Sequence, residues 1–357
     1  LHGILSLGFA RFSVLLRILD PFRTIPAISR CAFFEAVQHP AVVHAPLLYY
    51  ILWLFQVLTT IFSKKLFNGP ECLFSQQGFP FRQKRVIMNM NLRSGVMIMK
   101  RIVTMQDLSC IGKCSLTVAL PVLSAMGCQC CPLPTALLSA HTGFSGNTFL
   151  DLTVEMGRIA DHWAAMDLQF DAIYSGFLGS ADQVDTVARF FDTFKKSGTA
   201  VIVDPVMGDH GTAYRTCTPD LCRGMRALAE NADVITPNLT EAALLLDRPY
   251  EEIRQADAYE VVRRLSLGGR RSVVLTGYSS EPGQTGALCR DSGESKAVQT
   301  PREPQDFSGT GDLFASVLAG GVARGVPLFQ AAQAAADFVR DCIARTLADG
   351  LTEQDGV

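Results

Sequence analysis

The stretch "DFSGTGDLF", residues 306–314, places two glycines and two hydroxyl side chains immediately before an aspartate, and an apolar run follows without a break. Gly309 and Gly311 leave backbone N–H groups approachable, Ser308 and Thr310 add hydroxyls, and the residues from Leu313 onward predict a helix. A helix N-terminus entered through glycines is an anion site, because its first N–H groups lack intrahelical acceptors and the helix dipole is positive there. Asp312 does not suit a resting phosphate, which it would repel. It suits a phosphate in transfer, if its task is to take the proton of an attacking hydroxyl as a general base. The plainer reading, an acidic first-turn residue balancing the dipole, stays open at this point.

Upstream, from Lys100 onward, short β-branched runs alternate with helical stretches, which is the pattern of one α/β domain. "RIVTM" (101–105), "DAIYSGF" (171–177), "TAVIVDP" (199–205), "ADVITPN" (232–238) and "RSVVLTG" (271–277) predict strands, each ending in a turn or polar signal. Between them, "ADQVDTVARFFDTFKKSG" and "AYEVVRRLSLGG" have helical spacing and end in glycine, as helix C-termini often do. The polar residues gather at the carboxyl ends of the strands, the edge at which open parallel sheets bind ligands.

Three further polar clusters fall at that edge. "DPVMGD" puts Asp204 and Asp209 after an apolar strand, and two neighbouring carboxylates repel unless a cation such as Mg²⁺ sits with them. An Asp-Pro turn with a solvated second aspartate explains the same residues without a metal. In "TPNLTEAALLL", Thr236 and Asn238 stand between strand and helix and Glu241 enters the first turn, where capping alone accounts for an acid. "SAHTGFSGN" (139–147) is a turn-rich segment whose His141 and Thr142 could bind a polar ligand or stabilise their own loop.

Composition bounds the function. The chain has 357 residues, 48% of them hydrophobic, ample for a buried core. Its net charge of −2 hides an asymmetry: residues 1–98 hold ten Lys/Arg against three Asp/Glu, a net of +7, which leaves −9 for the rest. The acidic folded part shows no basic stripe, so nucleic acid is not expected as a partner. No G-x-x-x-x-G-K-[ST] run and no glycine fingerprint after the first strand are present, which sets aside P-loop and dinucleotide sites. Eleven cysteines without a regular framework suit a reducing compartment, and Cys128, Cys130 and Cys131 read as small buried side chains rather than metal ligands. Residues 41–62, "AVVHAPLLYYILWLFQVLTTIF", carry no formal charge and precede Lys64 and Lys65, as a membrane anchor would. Pro46 and His44 interrupt that run, and we read residues 1–98 as an over-extended start, the true one lying among Met88, Met90, Met97 and Met99. The domain expected is therefore 99–350, with 351–357 as a tail, and a membrane is expected only if 41–62 is a real anchor.

"DPVMGD", "ITPNLTEA", "VVLTG" and "GTGD", in this order and at these separations, resemble the ribokinase-like superfamily and within it the vitamin B6 kinases, the pyridoxal/pyridoxine/pyridoxamine kinases. "QDLSCIGKCSLTVALPVLSAMG" and "LPTALLSAHTG" are similar to the bacterial pyridoxamine-kinase-like branch. The resemblance runs from about Lys100 to about Leu347. It implies an α/β, three-layer fold, a central mostly parallel sheet flanked by helices, with ATP and the vitamin meeting along its carboxyl edge. It implies phosphorylation of the 5′-hydroxymethyl group, a cytoplasmic homodimer, Mg²⁺, ATP as co-substrate, and K⁺ as a further cation.

Residue by residue, the resemblance makes Asp312 the base and Gly309 and Gly311 the anion hole. Asp204, Asp209 and Glu241 would manage Mg²⁺ and the phosphates, and Thr236 would stand near the monovalent cation. Asn238, Thr276 and Thr310 fall at nucleotide positions, with Tyr214 above the nucleotide. Ser109 would meet the pyridine ring, beside His141, Thr142 and Phe177. Two features depart from the pattern: Gln106-Asp107-Leu108-Ser109 stands where several relatives have Gln-Ser directly, and Phe177 stands where many have tyrosine. Hydroxymethylpyrimidine kinases share "DPVM", "TPN" and "GTG", but many carry cysteine where Asp312 stands. A non-catalytic nucleotide-binding regulator is the alternative of another class, and an intact Asp312 between its glycines argues against it.

Overall fold

Successive residues of the first strand, β1 (Lys100–Ser109), serve opposite faces: Val103 and Met105 enter one apolar layer and Ile102 the other. The same alternation recurs in β4 (Ala172–Ser175), β5 (Ala200–Val203), β8 (Val234–Ile235) and β9 (Ser272–Tyr278). A strand buried on both faces must be covered on both, and helices do so. The computed structural model describes residues 99–357. The 41–62 segment and the rest of residues 1–98 lie outside the described residues, among which no helix is long and apolar enough to cross a membrane.

Nine strands form one sheet in the order β11 (Glu294–Pro301), β10 (Gln284–Asp291), β9, β8, β5, β4, β1, β2 (Cys128–Leu138) and β3 (Phe149–Asp151). The run from β9 to β2 is parallel, whereas β3 at one side and β10 followed by β11 at the other join antiparallel. On one face pack α2 (Thr153–Ala165), α3 (Ala181–Phe194), α4 (Pro219–Glu230), α5 (Leu239–Leu246), α6 (Tyr250–Gln255) and α7 (Ala258–Leu265). On the other lie α1 (Leu116–Ala125), α8 (Thr310–Ala323) and α9 (Leu328–Ala348). This is the expected three-layer α/β architecture, and each of the predicted strands and all three predicted helices form.

The short hairpin β6 (Gly208–Asp209) and β7 (Thr212–Ala213) overhangs the sheet's carboxyl edge. Cys217 and Cys222, five residues apart at the entrance to α4, are joined as a disulfide, a local pairing that cysteine spacing had not suggested. Residues 351–357 are tied down: the Val357 amide donates to the Ser308 carbonyl at 3.2 Å, and Gly356 bridges to Lys113. The tail thus braces the glycine loop ahead of α8.

Candidate active site

The carboxyl ends of the parallel strands meet the N-terminus of α8 in a cleft of about 1210 Å³. Every residue that the sequence singled out as a site candidate lines it. Strand ends contribute Ser109, Asp204, Thr236 and Thr276; α8 and its entry loop contribute Gly309, Thr310, Gly311 and Asp312; the 139–147 loop contributes His141 and Thr142.

At the head of α8, Gly309 takes a left-handed conformation, φ 84°. A Cβ there would collide with the Lys113 carbonyl, so both the backbone and the neighbouring loop demand glycine. Gly311 differs: a Cβ on it would meet nothing, and its absence keeps the N–H groups of the first turn open to the cleft. The Asp312 carboxylate accepts the Ser115 amide at 2.9 Å. Ser115 precedes α1 with φ 49°, a strained geometry for a non-glycine residue that turns its N–H toward α8. Asp312 keeps part of its surface accessible, but its carboxyl is ringed by protein. Burial pushes that carboxyl up to about 7, the Ser115 amide pulls against this, and the negative charge of Asp107 adds to the rise. A carboxyl poised near neutrality is suited to accept a proton and release it.

Beside it lies a second buried acid. Asp204 accepts the Thr236 hydroxyl at 2.8 Å, and burial, reinforced by the charge of Asp312, pushes it up to about 8. Glu241 closes a capping box with Asn238: its carboxylate accepts the Asn238 amide at 2.9 Å, and the Asn238 side chain accepts the Glu241 amide at 2.9 Å. The capping expected from sequence is therefore present. It does not exhaust the residue, because the other Glu241 oxygen accepts the Met207 amide at 3.2 Å, and burial and Asp204 raise its carboxyl well above the usual range. Asn238 also donates to the Gly208 carbonyl at 2.8 Å, pinning the β6–β7 hairpin over the site. Asp209 is exposed on that hairpin, and Tyr214, 43% exposed just beyond it, has its hydroxyl held neutral first by burial and then by Asp209, Glu241, Asp204 and Asp312.

No three His, Cys, Asp or Glu side chains converge tightly enough to hold a metal on their own among the described residues. The strand ends offer instead a buried negative field, in which the charges acting on Asp204 and Glu241 are other carboxylates. That donor set fits Mg²⁺, which keeps several waters and is held by one or two carboxylates together with phosphate oxygens rather than by a protein cage.

At the opposite end, sequence reasoning passed over Asp107. Pairing between β1 and β2 shifts register there: Gln106 faces Pro134 and Leu108 faces Leu137, so Asp107 stands opposite two residues of β2. Asp107 is 5% exposed, and Ser109, itself fully buried, donates its hydroxyl to it at 2.8 Å. An acid following the buried run Ile102–Gln106 of the strand was the available signal. Ser115 was passed over too, because its contribution is a backbone amide. His141 is buried between Gly112 and Gly143, where a Cβ on either glycine would strike its ring, and its Nδ1 accepts the Gly143 amide at 3.1 Å. Thr142 is exposed at the cleft mouth; Phe177 is buried, with its carbonyl accepting the Thr135 hydroxyl at 3.0 Å.

The phosphomethylpyrimidine kinase family model matches residues 119–355. A pyridoxine/pyridoxal/pyridoxamine kinase of Bordetella avium is 32% identical over 268 residues, covering 72% of this chain and 89% of its own. A Bacteroides thetaiotaomicron protein assigned as a phosphomethylpyrimidine kinase and crystallised with pyridoxal is 39% identical, with a TM-score of 0.68 over 73% of this chain and 93% of its own. Pyridoxal kinase of Leishmania donovani, solved with ADP and pyridoxamine, is 26% identical, with a TM-score of 0.61 over 70% of this chain and 88% of its own. With the glycine-entered N-terminus of α8, the buried acids and the three-layer sheet all in place, these matches make the chain a member of the phosphomethylpyrimidine kinase family, within the ribokinase-like fold that its B6 kinase relatives share.

Proposed function

We propose that the chain is an ATP-dependent kinase of vitamin B6, transferring a phosphoryl group to the 5′-hydroxymethyl oxygen of pyridoxal, pyridoxine or pyridoxamine. The observation that carries this is the Asp312 carboxyl, near-neutral in affinity for protons, fixed by the Ser115 amide at the mouth of an anion-binding helix. The named activities and bound ligands of the Bordetella, Bacteroides and Leishmania proteins support the same substrate.

In this reading the B6 ring lies between His141, Phe177 and the end of β1, with its hydroxymethyl oxygen facing Asp312. Asp312 takes the hydroxyl proton as the oxygen attacks the terminal phosphorus of ATP, and the N–H groups at Gly309 to Gly311 receive the charge that spreads over the transferring group. Asn238, Thr276, Thr310 and Tyr214 border the nucleotide. Asp204, Asp209 and Glu241 would hold Mg²⁺ through the phosphates and water, with Thr236 near a K⁺ ion. When bound, Mg²⁺ supplies charge neutralisation along the phosphates. A homodimer in the cytoplasm belongs to the same reading and rests on the family resemblance.

A second reading, phosphorylation of hydroxymethylpyrimidine, is favoured by the family model itself. Steady-state assays of the purified chain with ATP and each of pyridoxal, pyridoxine, pyridoxamine and hydroxymethylpyrimidine separate the two. Turnover of the B6 rings is expected, and exclusive turnover of the pyrimidine would reverse the assignment.

A further inference from the structure

Buried polar side chains are ordinarily hydrogen-bonded, because desolvation without a partner costs stability. Among the described residues, those with buried side-chain polar atoms that close no hydrogen bond are Gln106, Tyr174, Ser175 and Ser316. Three of them, Gln106, Tyr174 and Ser316, meet behind the wall of the cleft, which none of them lines. Tyr174 stands in register between Thr104 of β1 and Ile202 of β5, and its ring belongs to the apolar layer that holds Leu313 and Val317 of α8. Gln106 lies two residues beyond Thr104 on the same face, over Gly176, where a Cβ would come within 2.9 Å of its Cγ. Ser316 follows Asp312 by one turn of α8. A serine inside a helix ordinarily returns its hydroxyl to the carbonyl four residues back; the Ser316 hydroxyl does not.

The surroundings of the Tyr174 hydroxyl show what such a cluster can do. The side chains beside it are Gln106 and Ser316, close enough to act on it without closing a bond of good geometry, and the charges that reach it are those of Asp204 and Asp312. Burial first, and then those two charges, hold its proton, so it stays a neutral O–H dipole under both acids. A hydroxyl or amide dipole that is not spent on a protein partner can turn its positive end toward a charge, and in a dry interior that interaction is stronger than in water. Phosphoryl transfer creates the charge, because Asp312 must be ionised to accept the proton of the attacking hydroxyl. We propose that Tyr174 and Ser316, together with Gln106, are positioning residues for phosphoryl transfer, their uncommitted dipoles holding the ionised Asp312 in place from beneath α8. Three polar groups buried without bonds weaken the fold, and the gain appears in the rate instead. This rests on the kinase reading above, but not on which alcohol is phosphorylated.

The test measures rate and stability on the same proteins. Wild type, Tyr174→Phe, Ser316→Ala and the double variant are assayed with ATP and whichever of pyridoxal and hydroxymethylpyrimidine the wild type turns over faster, and are melted in parallel. Tyr174→Phe keeps the ring and Ser316→Ala favours the helix, so Tm should hold or rise in both. Each should lower kcat about 3- to 10-fold, with KM for ATP and for the alcohol changed less than about twofold. The double variant should lose less than the product of the single losses, because both hydroxyls act on one carboxylate. Should Tyr174→Phe fail to fold, Ser316→Ala alone must still separate kcat from Tm. A lower Tm with kcat within about twofold of wild type would make the cluster purely structural and overturn the proposal. A loss confined to the KM for ATP would assign it to the nucleotide site and overturn it as well. Wild-type inactivity toward every alcohol would remove the kinase reading and this inference with it, whereas an active wild type with unaffected variants would remove the inference alone.

Discussion

The amide of Ser115 donates to the carboxylate of Asp312 at 2.9 Å, across 197 residues of sequence. That bond joins the start of α1 to the start of α8 and fixes the acid where two helix N-termini meet. It also explains why the glycine loop cannot be read as a phosphate cradle alone: the acid in it is held, buried and raised toward neutrality.

The two glycines of the loop should respond differently. Gly309→Ala forces φ 84° on an L-residue and drives a Cβ into the Lys113 carbonyl, so a loss of about 1–3 kcal/mol in stability and a Tm lower by several degrees are expected. Gly311→Ala meets no atom and sits in a helix, so Tm should hold or rise slightly, while activity falls at least about tenfold because the methyl occupies the phosphate approach. Thermal melts and kcat/KM for ATP on both variants check this; full activity in Gly311→Ala would remove the anion-hole role.

Stability should fall as pH rises through the range set by the raised carboxyls. Asp204 and Asp312 hold protons in the folded state up to about 8 and about 7, whereas unfolded aspartates release them near 3.8. Their stabilisation is fully present below the unfolded value and is lost progressively up to pH 8. Mg²⁺ favours the ionised forms, so it should raise Tm more at pH 8 than at pH 6. Melting curves at both pH values, with and without MgCl₂, decide the matter; an Mg²⁺ shift larger at pH 6 would contradict it.

Asp204→Asn keeps an acceptor for the Thr236 hydroxyl and removes a charge from the buried field. The Mg²⁺ concentration for half-maximal rate should rise by about tenfold or more, with the B6 KM changed less than about threefold. Glu241→Gln should act in the same direction, though it also leaves one of two backbone amides without its carboxylate oxygen, so its Tm drops as well. An unchanged Mg²⁺ requirement with weakened vitamin binding would refute the cation role.

Much of the fold was legible because parallel strands advertise themselves: "AVIV" and "VVLT" are β-branched runs buried on both faces. β2 was not legible, since Pro132 and Pro134 argue against a strand. Its first half forms an edge, β3 pairing with Ala136 to Leu138 alone, so the missing proline N–H groups face no partner strand. The β10–β11 hairpin carried a signal that went unread, the two-residue turn at Ser292 and Gly293, both with positive φ. In the site, Asp312 and the acids of "DPVMGD" and "TPNLTEA" stood out as local motifs. Asp107 and the Ser115 amide did not, because one is a single charge inside a strand and the other is backbone, and both take their meaning from a partner distant in sequence.

The most direct test of the general-base assignment is the kcat of Asp312→Asn with pyridoxal and ATP, measured beside its Tm. Asparagine can still accept the Ser115 amide, so Tm and the KM for ATP should stay near wild type while kcat falls at least about a hundredfold. A stable Asp312→Asn protein retaining more than about a third of the wild-type kcat would contradict the account, leaving Asp312 as a first-turn acid that balances the helix dipole rather than the base of phosphoryl transfer.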